Sequence, residues 1–428
     1  MKLLCLSNGH GEDAIAIRIL QKLQQHPNAP KLAALPIVGE GQAYTELGIP
    51  IIAPTRKMPS GGFIYMDGRH LWRDLRSGLL QLLWWQFKAV QGWKQQGGAI
   101  LAVGDIVPLL LAWLSGAPYA FVGTAKSEYY LRDEAGMLPR KSRVQRSEGW
   151  SGSVYLPWER WLMSHKRCKG VFPRDSLTTE TLLKWSIPAF DLGNPMMDDL
   201  EGKIAKSAFY NLDADKEEQA RSLHVTLLPG SRPPEAYRNW EEILLAVNGI
   251  RESFRHRGAV FLGAIAPTLS LDPLREALEA QGWQMQTQVS EASELPINDA
   301  SASVFHQGKS TLILSQRAFS DCLQQGDFAI AMAGTATEQF VGLGKPAIAI
   351  PGKGPQFTPA FAEAQSRLLG PSLILVEQPT AVAATIQSLL RDPDRLQLIA
   401  ENGVRRMGKP GSAQRIADCL IDKLVIGH

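Results

Sequence analysis

The sequence predicts an α/β protein built from two Rossmann-like domains joined by a linker. Three observations carry this reading. The chain has 428 residues, too many for one ordinary core. Short apolar runs alternate with helical patterns in both halves, as in parallel sheets. Between the halves, EGKIAKSAFYNLDADKEEQARSL (201–223) is polar and lacks such periodicity.

In the first half, KLLCLS reads as a strand and AIAIRILQKLQ as the amphipathic helix after it. KLAALPIV and GIPIIAP are further strand candidates. GGAILAVGD is another, followed by the helix PLLLAWLSG and the strand PYAFVGT. The second series runs HVTLLPGSR, GAVFLGA, TLILS, DFAIAMAG and KPAIAIPG. After MGKPG, the segment SAQRIADCLIDKLVI (412–426) reads as a closing helix. The expected domains are 1–205 and 206–404, with 405–428 crossing back to the first.

Composition narrows the function. Hydrophobic residues make up 45% and charged residues 20%, as in soluble globular proteins, and the net charge of +3 gives no argument for nucleic acid. The four cysteines, Cys5, Cys168, Cys322 and Cys419, are widely spaced. That spacing argues against a zinc site or disulfide framework and fits a reducing cytoplasm. No signal peptide is expected, because the opening apolar run stops at Ser7 and Asn8. No run approaches the eighteen or so apolar residues a membrane span needs.

Doubly wound sheets bind ligands at the carboxyl ends of their strands, and four turns fall there. SNGHGED (7–13) offers Gly9 and Gly11 for close backbone approach, with Asn8, His10 and Glu12 as polar groups. Glu12 and Asp13 would favour the helix dipole in any case. AVGD ends at Asp105, which is suited either to cap the next helix or to act as a general base. LLPGSRPPE places Gly230, Ser231 and Arg232 at a strand end, a combination of amides, hydroxyl and guanidinium suited to phosphate. AMAGTATEQF opens a helix with Gly334, Thr335, Ala336 and Thr337, followed by Glu338 and Gln339. Small residues there allow a ligand near the helix amino terminus.

PGSR followed about a hundred residues later by AGTAT resembles the nucleotide-sugar half of lipid-A-disaccharide synthase. The likeness is collinear: VGD (103–105), YLPWER (155–160) and LGNPMMDDL (192–200) resemble further segments of that family. The chain looks most like the lipid-A-disaccharide-synthase-related proteins. The resemblance implies a GT-B fold, two Rossmann-like domains facing each other across a cleft, with a UDP-sugar donor and a glycolipid acceptor. It implies donor contacts from Gly230, Ser231, Arg232, Gly334, Thr335, Ala336, Thr337 and Glu338 or Gln339. It also implies an acceptor side lined by Asn8, Gly9, Gly11, Glu12 and Asn194. Family position favours Asp105 as base, with His10 orienting the acceptor, although the roles can be exchanged.

The departures are specific. SNGHGED replaces the family's glycine-acid turn, and its histidine is closer to MurG and the galactolipid synthases. Asn194 stands where the family has histidine, and the family glutamate aligns with Gln339, one residue after Glu338. No DxD motif stands at a strand end, so neither metal nor cofactor is expected. Asp198 and Asp199 read as a solvated pair.

The segment 69–95 concentrates tryptophan with leucine and basic residues. Leu79, Leu82, Leu83 and Phe87 fit a core stripe, but the adjacent Trp84 and Trp85 cannot share one narrow face. With Arg76 and Lys88 they suit a membrane interface. The basic loop 138–150 is a second candidate for anionic lipid.

The expected function is an inverting, metal-independent glycosyltransferase using a UDP-sugar and a lipid or glycolipid acceptor. It would be cytoplasmic and peripherally associated with the inner membrane face, with its oligomeric state open. The alternatives are a UDP-N-acetylglucosamine 2-epimerase and a non-catalytic nucleotide-sugar sensor.

Overall fold

The computed structural model describes residues 2–55, 79–139, 149–198, 200, 222–286 and 295–426. Side chains at 10, 79, 80, 82, 83, 425 and 426 lie outside that description. The chain divides into two compact units, Met1–Asp198 with Gly408–His428, and Asp199–Met407.

In the first unit five parallel strands form the sheet: β1 (Lys2–Ser7), β2 (Lys31–Pro36), β3 (Gly98–Gly104), β4 (Tyr119–Gly123) and β5 (Cys168–Phe172). Their order is β2-β1-β3-β4-β5. β3 and β4 are buried along their whole length, which explains why they read as continuous apolar runs. Helix α1 (His10–Gln25) follows β1 and buries Ile15, Ile19, Leu20 and Leu23, one stripe at helical spacing. Helix α2 (Leu79–Lys94) precedes β3 and buries Gln86, Val90 and Trp93. Helix α3 (Ile106–Leu114) follows β3, α4 (Pro157–Ser164) precedes β5 and α5 (Ser176–Leu183) follows it.

The expected strand at GIPIIAP is reduced to a single bridge between Ile51 and Ala34. Pro50 and Pro54 lack the amide hydrogens a ladder needs, although the Pro50 carbonyl accepts from Ala34 N at 2.9 Å. Strand β5 went unread because Lys169 and Gly170 interrupt its apolar run.

The second unit carries β6 (Leu223–Leu228), β7 (Ala259–Ala264), β8 (Ser303–Gln307), β9 (Ser310–Ser315), β10 (Phe328–Ala331), β11 (Ala347–Ala349) and β12 (Leu373–Leu375). The parallel part is ordered β9-β7-β6-β10-β11-β12, the doubly wound dinucleotide-fold order. β8 pairs antiparallel at the β9 edge. Helices α6 (Glu235–Ser253), α7 (Thr335–Gly342) and α8 (Pro359–Leu369) flank its switch point. Helix α9 (Pro393–Met407) ends the unit.

The chain then rejoins the first unit through helix α10 (Ser412–Leu420), which packs on α1. Asp198 fixes this return. Its Oδ1 accepts from Gly411 N (2.8 Å) and Ser412 N (3.0 Å), and its Oδ2 from Ala413 N (2.7 Å). Expected as a solvated acid, Asp198 is buried because a helix amino terminus supplies three donors to its charge. Asp199 lies outside the described residues.

Candidate functional site

Each unit has one place where strand order reverses, and the polar turns gather there. In the first sheet β1 pairs with β2 on one side and β3 on the other. Its switch point therefore lies between the ends of β1 and β3, at Asn8-Gly9 and Gly104-Asp105. Asn8 Nδ2 donates to Asp105 Oδ2 at 2.8 Å and joins the two turns. Asp105 Oδ1 accepts from Val107 N at 2.8 Å, so this carboxylate also caps α3.

The opening turn is braced from beneath. Ser7 Oγ donates to Asp13 Oδ1 at 2.5 Å, and Tyr44 OH donates to Ser7 Oγ at 2.7 Å. Gly9, with φ 130°, occupies a conformation that side chains disfavour and starts α1. Gly104 has the same φ, and a Cβ there would stand 3.2 Å from Glu12 Cγ. Gly11 is exposed, with open space where its side chain would be. His10 opens α1, but its side chain lies outside the described residues.

Glu12 sits on the first turn of α1, partly exposed. Burial pushes its carboxyl up to about 7 against the pull of its own backbone amide and the nearby Thr124 hydroxyl, and the negative charges of Asp105 and Asp13 add to the rise. Asp105 is also raised by burial, and the Val107 amide, Asn8 and Lys126 pull it back. Lys126 and Glu159 form a close ion pair beside this cluster, at 2.6 and 2.8 Å. Glu159 Oε2 additionally accepts from Leu156 N at 2.8 Å, so the acid of YLPWER fixes the start of α4.

Asn194 lies farther along the same sheet edge. It helps line a small pocket with Thr124 and the buried Arg174, which follow β4 and β5. Asn194 Oδ1 accepts from Met196 N at 3.0 Å, while its Nδ2 is buried without a hydrogen-bond partner. Thr124, Lys126 and Arg174 were not singled out in the sequence, and Glu159 stood out only as part of YLPWER, with no role given to it. They come from separate strand ends and helices, and no local motif links them.

In the second unit the switch point lies between β6 and β10, which pair directly. The turns Pro229-Gly230-Ser231-Arg232 and Met332-Ala333-Gly334-Thr335 meet there. Asn239 Nδ2 ties them together, donating to Pro229 O at 3.0 Å and Met332 O at 3.5 Å. Gly230 has φ 98°, and a Cβ would stand 3.3 Å from Met332 O. Both its dihedral and this approach demand glycine. Ser231, Arg232 and Thr335 are exposed, and Gly334 and Ala336 are partly exposed.

Thr337 was expected to offer a hydroxyl to a ligand. Instead it is fully buried and donates to Ala333 O at 2.6 Å, building the turn. Glu338 and Gln339 are both more than nine-tenths buried in α7. Gln365 on α8 supports the same turn, its Nε2 donating to Gly334 O at 3.1 Å. Glu235 accepts from Gln356 N and Phe357 N, holding the loop after β11 beside the start of α6. These two supports also escaped the sequence reading, because they serve backbone groups over a hundred residues away or on another helix.

A third feature is a surface. Trp84 and Trp85 on α2 are 55% and 54% exposed, Leu110 and Leu114 on α3 are exposed, and so are Trp158 and Trp161 on α4. Helix α3 packs against both α2 and α4, and Trp113 meets Trp161 edge-on at 5.2 Å. Lys88 lies over the Trp84 ring at 5.1 Å, and the Arg160 guanidinium over Trp185 at 4.0 Å. Arg76 and loop residues 140–148 lie outside the described residues. No helix of the described residues is long and apolar enough to cross a membrane.

Two doubly wound α/β units, each with its polar turns at a switch point, make this a GT-B-type fold. Solved structures agree. MurG from Acinetobacter baumannii matches with a TM-score of 0.55 at 14% identity, covering 99% of each chain. A UGT transferase from Siraitia grosvenorii, solved with UDP, matches at 0.53 and 11% identity, again over 99% of each. The UDP-GlcNAc 2-epimerase from Neisseria meningitidis, bound to UDP-GlcNAc, matches at 0.51 and 15% identity, over 99% of this chain and all of that one. No protein-family model and no curated protein matches the sequence.

Proposed function

We propose that the protein is an inverting, metal-independent glycosyltransferase that moves a sugar from a UDP-sugar to a lipid or glycolipid acceptor. One observation carries the donor assignment: the PGSR and AGTAT turns meet at the switch point of the second sheet, tied by Asn239. Backbone amides at Gly230 and Ser231, the Arg232 guanidinium and the amino terminus of α7 would hold the diphosphate. The same groups offset the charge that develops on departing UDP. Glu338 and Gln339 are the candidates for the ribose, and reaching it would require one of them to turn out of the protein.

The acceptor would be handled by Asn8, Glu12, Asp105 and Asn194, with Gly9 and Gly11 permitting close approach and His10 as an orienting group. Lipid as the acceptor class is supported by the exposed tryptophan face of α2, α3 and α4, which suits the headgroup layer of a bilayer. The same face would serve a peripheral protein, and the proposal includes its attachment to the inner membrane at the cytoplasmic face. An epimerase acting on a UDP-sugar is the second reading, favoured by the clustered acids Glu12, Asp105 and Glu159, but it gives the tryptophan face no role. Incubation with UDP-N-acetylglucosamine alone separates the two, because only the epimerase yields an epimer without an acceptor.

Calorimetry tests the donor site. UDP should bind, and Arg232→Ala should weaken it by about 1.5–3 kcal/mol, the range for a hydrogen bond to a charged group. Unchanged affinity in a folded variant refutes the assignment.

A further inference from the structure

We infer that Glu12, rather than Asp105, is the group that exchanges the proton at the first switch point, with Asp105 as its fixed anionic neighbour. The inference rests on the glycosyltransfer reading and assigns the base within it. Both Asp105 oxygens are already engaged, one by the Val107 amide and one by Asn8 Nδ2, each at 2.8 Å. Those bonds stabilise the ionised form and fix the carboxylate between the two turns. Moving or protonating Asp105 would uncap α3 and loosen the joint between the two turns.

Glu12 is placed differently. It stands on the first turn of a helix whose start is braced by Ser7, Asp13 and Tyr44, so its backbone is fixed. Its side chain passes close to Gly104, where a Cβ would stand 3.2 Å from Glu12 Cγ, and it remains partly open to solvent. The charged groups acting on it are Asp105 from the β3 turn and Asp13 on its own helix, with the Thr124 hydroxyl from the β4 turn nearby. Two acids so close share their titration, and Asp105, whose oxygens cap α3 and tie the two turns, is the one held ionised. The Glu12 carboxyl, pushed up to about 7, matches a general base working near neutrality. Asn8 Oδ1 lies buried beside this pair without a hydrogen-bond partner.

The step balances simply. The acceptor O–H gives its proton to the Glu12 carboxylate as the oxygen forms its bond to the anomeric carbon. The bond from that carbon to the UDP oxygen breaks, and its electron pair leaves with the phosphate.

The test has two arms on the full chain. Protein labelled with 13C at the glutamate carboxyl carbon is titrated by NMR, and Glu12→Gln identifies the Glu12 signal. A midpoint near 7 is expected; a midpoint in the ordinary glutamate range overturns the assignment. The second arm measures UDP release from UDP-N-acetylglucosamine with water as acceptor, and UDP affinity as the control. Glu12→Gln should keep UDP affinity, lower turnover about 10²–10⁴-fold and abolish the rise in turnover near pH 7. Glu12→Asp should recover part of the rate. Near-full turnover in a folded Glu12→Gln protein overturns the proposal. If the parent binds UDP but never releases it from the sugar, the transfer reading fails, and the carboxyl titration alone decides whether Glu12 holds the exchangeable proton.

Discussion

Single residues set the chemistry through what their neighbours leave them free to do. Glu12 gives a stability prediction independent of turnover. Its folded-state pKa is raised from 4.5 to about 7, so folding favours the protonated form. The stabilisation is complete below the unfolded value and is lost as pH rises through about 7. Glu12→Gln stays neutral throughout, so its stability relative to the parent should improve between pH 5 and pH 8, by about 1–3 kcal/mol. Denaturant unfolding at the two pH values checks this; an equal difference at both excludes the raised pKa. At this scale the sequence was informative where neighbouring residues make the feature together, as in Gly230-Ser231-Arg232. It was silent on the ion pair between Lys126 and Glu159, which spans thirty-three residues. It misjudged Thr337, because whether a helical hydroxyl faces a ligand or its own turn depends on helix phase.

Elements were legible in proportion to their apolar continuity. β3, β4, β6 and β10 are buried on both faces and their positions were readable, as were the turns after β3, β6 and β10. β5 carries a lysine and a glycine, and the antiparallel β8 carries an exposed histidine, so neither stood out. The return helix α10 was visible as an amphipathic pattern, but its anchor was not. Three backbone donors converge on Asp198 from more than two hundred residues away. Asp198→Ala should therefore destabilise the first unit by about 2 kcal/mol, the upper range for losing a helix cap. Asp198→Asn, which keeps an acceptor, should cost less. Hydrogen exchange checks the locality: amides of 412–420 should lose protection before those of the second unit. Uniform loss across both units would mean that Asp198 supports more than this helix.

At the scale of the whole molecule, the distribution of tryptophan matters more than net charge. Trp240 and Trp283 in the second unit are buried, whereas Trp84, Trp85, Trp150, Trp158, Trp161 and Trp185 in the first unit are exposed. An exposed tryptophan loses little by entering the headgroup layer, where its ring is sheltered and its N–H stays wet. A chain with a net charge of +3 has no strong general attraction for anionic surfaces, so any vesicle binding should depend on this face. The prediction is that the protein sediments with vesicles of mixed zwitterionic and anionic phospholipid. Replacing Trp84 and Trp85 by serine, or Trp158 and Trp161 by serine, should weaken partitioning at least tenfold while leaving UDP affinity unchanged. Raising salt should weaken binding less than either double substitution, because burial of ring area rather than charge would dominate. If both double variants sediment as the parent does, the α2–α4 face is not the membrane surface. If only salt abolishes binding, attraction between basic side chains and lipid phosphate accounts for it.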